Sequence, residues 1–132
     1  MRLFSASTTV SAAVLTMLWL IGTLHAPRVY ADDGVTTMAA IVLSLAHFPS
    51  DADKAVLAAI AQDEGSASVK TVASAIAGIS HKVSDADRTR LLPIAADENE
   101  PADLRELAGI VAGINHMPGA DARAALTALA GR

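Results

Sequence analysis

Residues 79–95 read ISHKVSDADRTRLLPIA, and the chain contains two further versions of this stretch. LAHFPSDADKAVLAAIA fills residues 45–61, and INHMPGADARAALTALA fills residues 114–130. Their histidines, His47, His81 and His116, are spaced 34 and then 35 residues apart. The segments upstream match as well: VTTMAAIVLSLAH from Val35, VKTVASAIAGISH from Val69 and LRELAGIVAGINH from Leu104. Repetition at a fixed period of this length marks supersecondary units that bury their apolar faces only against one another. The units run over about 35–68, 69–103 and 104–132.

Each unit reads as two helices. In the upstream helix apolar residues recur at i, i+3, i+7 and i+10, a helical stripe rather than a strand alternation. They are Val35, Met38, Val42 and Leu45; then Val69, Val72, Ile76 and Ile79; then Leu104, Leu107, Val111 and Ile114. Ser44, Gly78 and Gly113 precede the last stripe position, and their small size is expected to admit a neighbouring helix. The downstream helix opens on Ser50 or Ser84 as N-cap, with Asp53 or Asp87 three residues on to close a capping box. Asp51 and Asp85 fall at the first helical position, where the helix dipole favours negative charge. Gly119 stands in the cap position of the third unit. Pro93 falls inside a helix, and Pro101 fits a first helical position.

Residues 90–114, RLLPIAADENEPADLRELAGIVAGI, resemble a HEAT-type helical repeat. The match lies in a leucine-rich helix with Pro93, Asp97 in the turn, Leu104–Arg105 after it, and Ala108, Gly113 and Ile114 at the tail. Residues 55–79 repeat the pattern more loosely, with Asp63, Val69 and Lys70. The resemblance implies an α-solenoid in which Asp63, Lys70, Asp97 and Arg105 form a structural ladder between units. The expected architecture is all-α: a short α-solenoid of three helix-pair repeats, six helices in all, after an N-terminal signal peptide.

The signal lies in residues 1–31. Arg2 precedes an uncharged, mostly apolar run from Val10 to Leu24, and Val29 and Ala31 sit at −3 and −1 of a cut before Asp32. The run is shorter than the ~20 residues of a membrane span. The rival reading is an uncleaved anchor, which would be the chain's one association with a membrane. Cleavage leaves residues 32–132 as the helical-repeat domain, placed in the periplasm or secreted. Removing Arg2 and Arg28 leaves eight basic against fourteen acidic residues, a net charge of −6. Such a chain repels phosphate backbones, which argues against nucleic acid as a partner. With no cysteine, the domain has no disulfide and relies on its core. Phe48 is the one aromatic residue left after cleavage, which removes base stacking and aromatic sugar platforms.

Catalytic motifs are missing: there is no Gly-x-Ser-x-Gly elbow, no phosphate loop and no cysteine nucleophile. The expectation is therefore no enzyme and no cofactor. The histidines read as joints, each ending the upstream helix and bonding its last carbonyls beside the next helix's carboxylates. On this reading His47, Ser50 and Asp53, then His81, Ser84 and Asp87, then His116, are structural joints. The rival is a small periplasmic metal- or haem-binding protein using His47, His81 and His116. Against it stands the spacing of a stack, where equivalent residues sit a helix layer apart, about 8–10 Å. Ile41 and Ile110 lie off the main stripe, with Ala75 between them in the repeat. They either pack between units or line a shallow groove for a partner helix or peptide. The first and last units lack polar caps, an arrangement that favours self-association. The expected role is a non-catalytic interaction or assembly module that binds another protein or itself.

Overall fold

The structure, a computed structural model, describes residues 29–63 and 65–132, with side chains from Asp33 onward. The expected signal segment lies largely outside the described residues. Among the described residues six helices follow in order: α1 (Val29–Ser44), α2 (Asp51–Gln62), α3 (Ala67–Ala77), α4 (Asp85–Ala96), α5 (Ala102–Ala112) and α6 (Ala120–Ala130). The fold is all-α, and no strand occurs among the described residues. Helix α1 starts at Val29 rather than Val35, so the expected cut before Asp32 falls in its first turn.

The helix starts follow the cap chemistry. Ser50 accepts a hydrogen bond from the Asp53 amide, and Asp53 accepts one from the Ser50 amide, a complete capping box. Ser84 accepts from the Asp87 amide in the same way. Ser66 caps α3 by accepting from the Val69 amide at 3.2 Å, a signal present in GSAS at residues 65–68 but not singled out by the repeat pattern. Gly119 begins α6 with no side-chain cap. Pro101 is the N-cap residue of α5 rather than its first helical residue. Pro93 lies inside α4 and is exposed.

All twelve stripe residues are buried, so the inner surface of α1, α3 and α5 is what the periodicity implied. Burying a Leu, Ile, Val or Met side chain contributes about 1.5–3 kcal/mol, so these positions carry much of the stability. Each unit adds a buried alanine at one repeat position: Ala39, Ala73 and Ala108. From the outer helices come Leu57, Leu91, Leu126 and Leu129. Among the described residues no polar or charged side chain is buried, so the core is purely apolar.

The packing order differs from the order of the chain. Helix α2 lies along α3 and α4 along α5, while helices joined through a histidine segment touch only lightly. Helix α6 lies along α1. Helices α1, α3 and α5 each touch the other two. The three units thus close into a ring of three helix pairs, with α1, α3 and α5 inside and α2, α4 and α6 outside. The expected bare ends are not bare, because the first helix and the last cover each other. The physical reason is burial: an open three-unit stack would leave the apolar faces of α1 and α6 in water, and closure removes both.

The expectation for Ser44, Gly78 and Gly113 also changes. A Cβ on Gly113 would meet its own helix's carbonyl oxygens, the Ile110 oxygen at 3.5 Å being nearest. Gly78 and Gly113 are exposed helix C-caps with negative φ, and the one neighbouring-helix atom a Cβ would meet, Asp87 Oδ2 at 3.7 Å from Gly78, is an ordinary contact that a side chain tolerates.

Candidate binding face at the histidine joints

Three connecting segments gather at one end of the ring: residues 45–50, 79–84 and 114–119. Each is pinned at two places. Leu45, Ile79 and Ile114 are buried at its start, and Pro49, Val83 and Pro118 are buried two residues after each histidine. Pro49, Val83 and Pro118 occupy one repeat position, a signal the sequence held but the apolar stripe did not include. With both ends pinned, the residues between are turned outward. His47 and Phe48, His81 and Lys82, and His116 and Met117 are all exposed.

The joints are linked to one another through the backbone. The His81 amide donates to the His47 carbonyl at 2.8 Å, and the His116 amide donates to the His81 carbonyl at 2.5 Å. The Val83 amide donates to the Ile114 carbonyl at 3.3 Å, and Lys82 pairs with Asn115. The histidines therefore do not bond the last carbonyls of their helices. That is the work of the Gly78 and Gly113 amides, and the histidines lie beyond the helix ends.

This ladder requires unusual backbone. His81 has φ 66° and His116 has φ 70°, the only two such non-glycine residues among those described. The left-handed region costs a non-glycine residue about 1–3 kcal/mol, and histidine tolerates it better than most. At His116 the chain closes a three-residue turn, with the Met117 amide donating to the Asn115 carbonyl at 3.0 Å. His47 does not share this conformation.

The rings come together as a result. His47 and His81 lie 5.3 Å apart between centroids at 76°, and His81 and His116 lie 5.8 Å apart at 61°. Both are edge-to-face contacts. The expected separation of a helix layer, about 8–10 Å, is not observed. The joints meet at one end of a closed ring, so their backbones run as hydrogen-bonded neighbours instead of being carried apart by stacked helices. Asn115 Oδ1 faces His116 Nδ1 at 3.0 Å. The cap residues are occupied elsewhere, Ser50 with Asp53 and Ser84 with Asp87, which also pairs with Arg90. Phe48, at 62% exposure, and Met117, at 48%, flank the histidines as large apolar side chains held in water.

The other end of the ring is built from charge. Asp63 and Asp97 are the C-caps of α2 and α4. Asp97 accepts from the Asn99 amide at 3.0 Å and from the Asn99 side chain at 2.8 Å. The amide bond and then the side-chain bond hold its carboxyl below the ordinary carboxylate value, with the Arg105 charge adding to the effect. Ser68 donates to Glu100, and Arg132 pairs with Asp103. Arg105 forms no ion pair with Asp97, and its buried Nε has no hydrogen-bond partner.

The two apolar positions read as partner contacts separate here. Ile41 is 7% exposed and belongs to the core, so it offers no surface to a partner. Ile110 is half-buried and lines a cleft of about 690 Å³ between α5 and α6, together with Arg105, Glu106, Gly109 and Asp121. Comparison with known protein families, curated proteins and solved structures finds no significant match to this chain.

Proposed function

We propose that this chain is an exported, non-catalytic interaction module whose docking face is the joint end of the ring. One observation carries the reading. Phe48 and Met117 are held in water on pinned segments, next in sequence to His47 and His116, the two histidines whose rings pack against His81. Aromatic side chains and methionine are enriched in protein interfaces, and exposed large apolar groups on a rigid frame favour a partner that covers them. The backbone strain at His81 and His116 supports the same reading, since strain maintained by surrounding structure gathers at functional places. The HEAT-like pattern of residues 90–114 fits a scaffold of this kind, and the partner is another protein or a second copy of the chain.

Export rests on the apolar run and small-residue cut site in residues 1–31. Among the described residues no helix is long and apolar enough to cross a membrane. The interaction reading is tested by cross-linked capture with the full chain and with a Phe48→Asp/Met117→Asp variant, alongside light scattering for self-association. The reading expects a partner, or a dimer, that the wild type holds and the variant loses. Retention unchanged by the double substitution would contradict it.

A further inference from the structure

Beyond the partner reading, and independently of it, we infer that His81 and one neighbouring imidazole, His47 or His116, form a two-histidine chelating site for a divalent transition-metal ion, with His81 as the common ligand. Imidazole suits zinc, copper and nickel, and zinc–nitrogen bonds are about 2.0–2.1 Å, so two imidazoles on one tetrahedral ion have centroids on the order of 5 Å apart. The observed 5.3 Å and 5.8 Å lie close to that spacing. The rings stand edge to face, at 76° and 61°, so two nitrogens meet on one ion only when the exposed rings turn about their side-chain torsions, while the bonds between joints hold the backbones together.

The site is built from a pair at a time. Among the described residues no three histidine, aspartate or glutamate side chains converge on one point. His81 belongs to both close pairs, with His47 on one side and His116 on the other. Water completes the coordination in either case, as in sites that keep open positions.

A second observation concerns the nitrogen that would bind. Asn115 presents Oδ1 to His116 Nδ1 at 3.0 Å. In the tautomer that donates Nδ1–H to this oxygen, a neutral ring keeps its lone pair on Nε2. An oxygen acceptor behind one ring nitrogen is the usual support of a metal-bound histidine, because it fixes tautomer and orientation. The carboxylates nearby take no part. Asp53 and Asp87 are held by Ser50 and Ser84, and Asp87 also pairs with Arg90.

The test uses the full chain carrying His25→Gln, which removes the one imidazole outside the described residues from the count. Equilibrium dialysis against copper(II) chloride and, separately, zinc chloride measures stoichiometry and affinity. The inference expects one copper per chain, bound more tightly than zinc as the general order of divalent ions requires. His81→Asn should weaken binding by no less than the roughly 10–100-fold that loss of an outer-shell partner costs. Asparagine tolerates positive φ, so this variant removes the imidazole and keeps the backbone, with helical circular dichroism as the check. His47→Asn and His116→Asn each leave one pair, and the variant that loses more names the pair in use. Copper binding unchanged in His81→Asn, or no stoichiometric binding to the parent, overturns the inference. The partner test, run in chelator, is unaffected by that outcome.

Discussion

The two ends of the ring join neighbouring units by different means. At the joint end the links are backbone to backbone, from His47 to His81 to His116, and they demand left-handed φ at two histidines. At the turn end Asp97 closes on Asn99 within its own connection, and the links between neighbours include side-chain pairs such as Ser68–Glu100 and Asp103–Arg132. Side-chain pairs in water are weak and replaceable, since exposed ion pairs contribute about 0–1 kcal/mol. Backbone ladders on pinned segments are neither. The joint end is accordingly the end that can hold three side chains in fixed relation. The turn end holds charge and little geometry.

The largest test of this contrast concerns closure, which both ends presuppose. Leu126 is fully buried on α6, the helix that lies along α1. Leu126→Ala should destabilise by about 2–5 kcal/mol, the range for a buried leucine, read by urea denaturation. In an open stack α6 would be a fraying end and the cost would be small. A smaller effect separates the joints from one another. At His81, glycine should be more stable than alanine by about 1–2 kcal/mol, because φ is 66° and alanine is strained there. At His47 the order should reverse by about 0.5–1 kcal/mol, since that backbone is ordinary.

Ser84→Ala should cost about 1 kcal/mol through loss of the α4 cap. Gly119→Ser should gain a few tenths at the equivalent position, where a Cβ meets nothing within 4 Å. The smallest effect belongs to the turn end. The Asp97 carboxyl is held below its ordinary value, so the stability it contributes is fully present above about pH 4 and is lost as pH falls through its lowered value. The melting-temperature difference between wild type and Asp97→Ala should therefore narrow below about pH 4. Asn99→Ala should weaken the dependence without abolishing it, because the largest cause, the Asn99 backbone amide, stays.

Much of this fold was legible in the sequence, and the reason is local. The stripes of α1, α3 and α5 follow from a 3.6-residue period, and Ser50 and Ser84 follow from cap chemistry a few residues wide. What was not legible is which helix meets which. Periodicity says that Leu126 and Val42 are buried, but not that α6 and α1 bury each other. The distance between histidines depended on that missing fact. A stack carries equivalent residues apart, whereas a ring returns them to one end. The left-handed backbone was hidden for another reason: it falls on His81 and His116, where the usual glycine signal for positive φ is missing. The buried anchors Pro49, Val83 and Pro118 were within reach, as one apolar repeat position outside the helical stripe.

The ring brings the three joints together, and the imidazoles report it directly. Proton NMR of the full chain with isotope-labelled histidine observes few rings. The account predicts nuclear Overhauser contacts from the His81 ring to both the His47 and the His116 rings, as centroids 5.3 Å and 5.8 Å away require. A His81 ring with no contact to either neighbour, in a chain whose helices are intact, would contradict it.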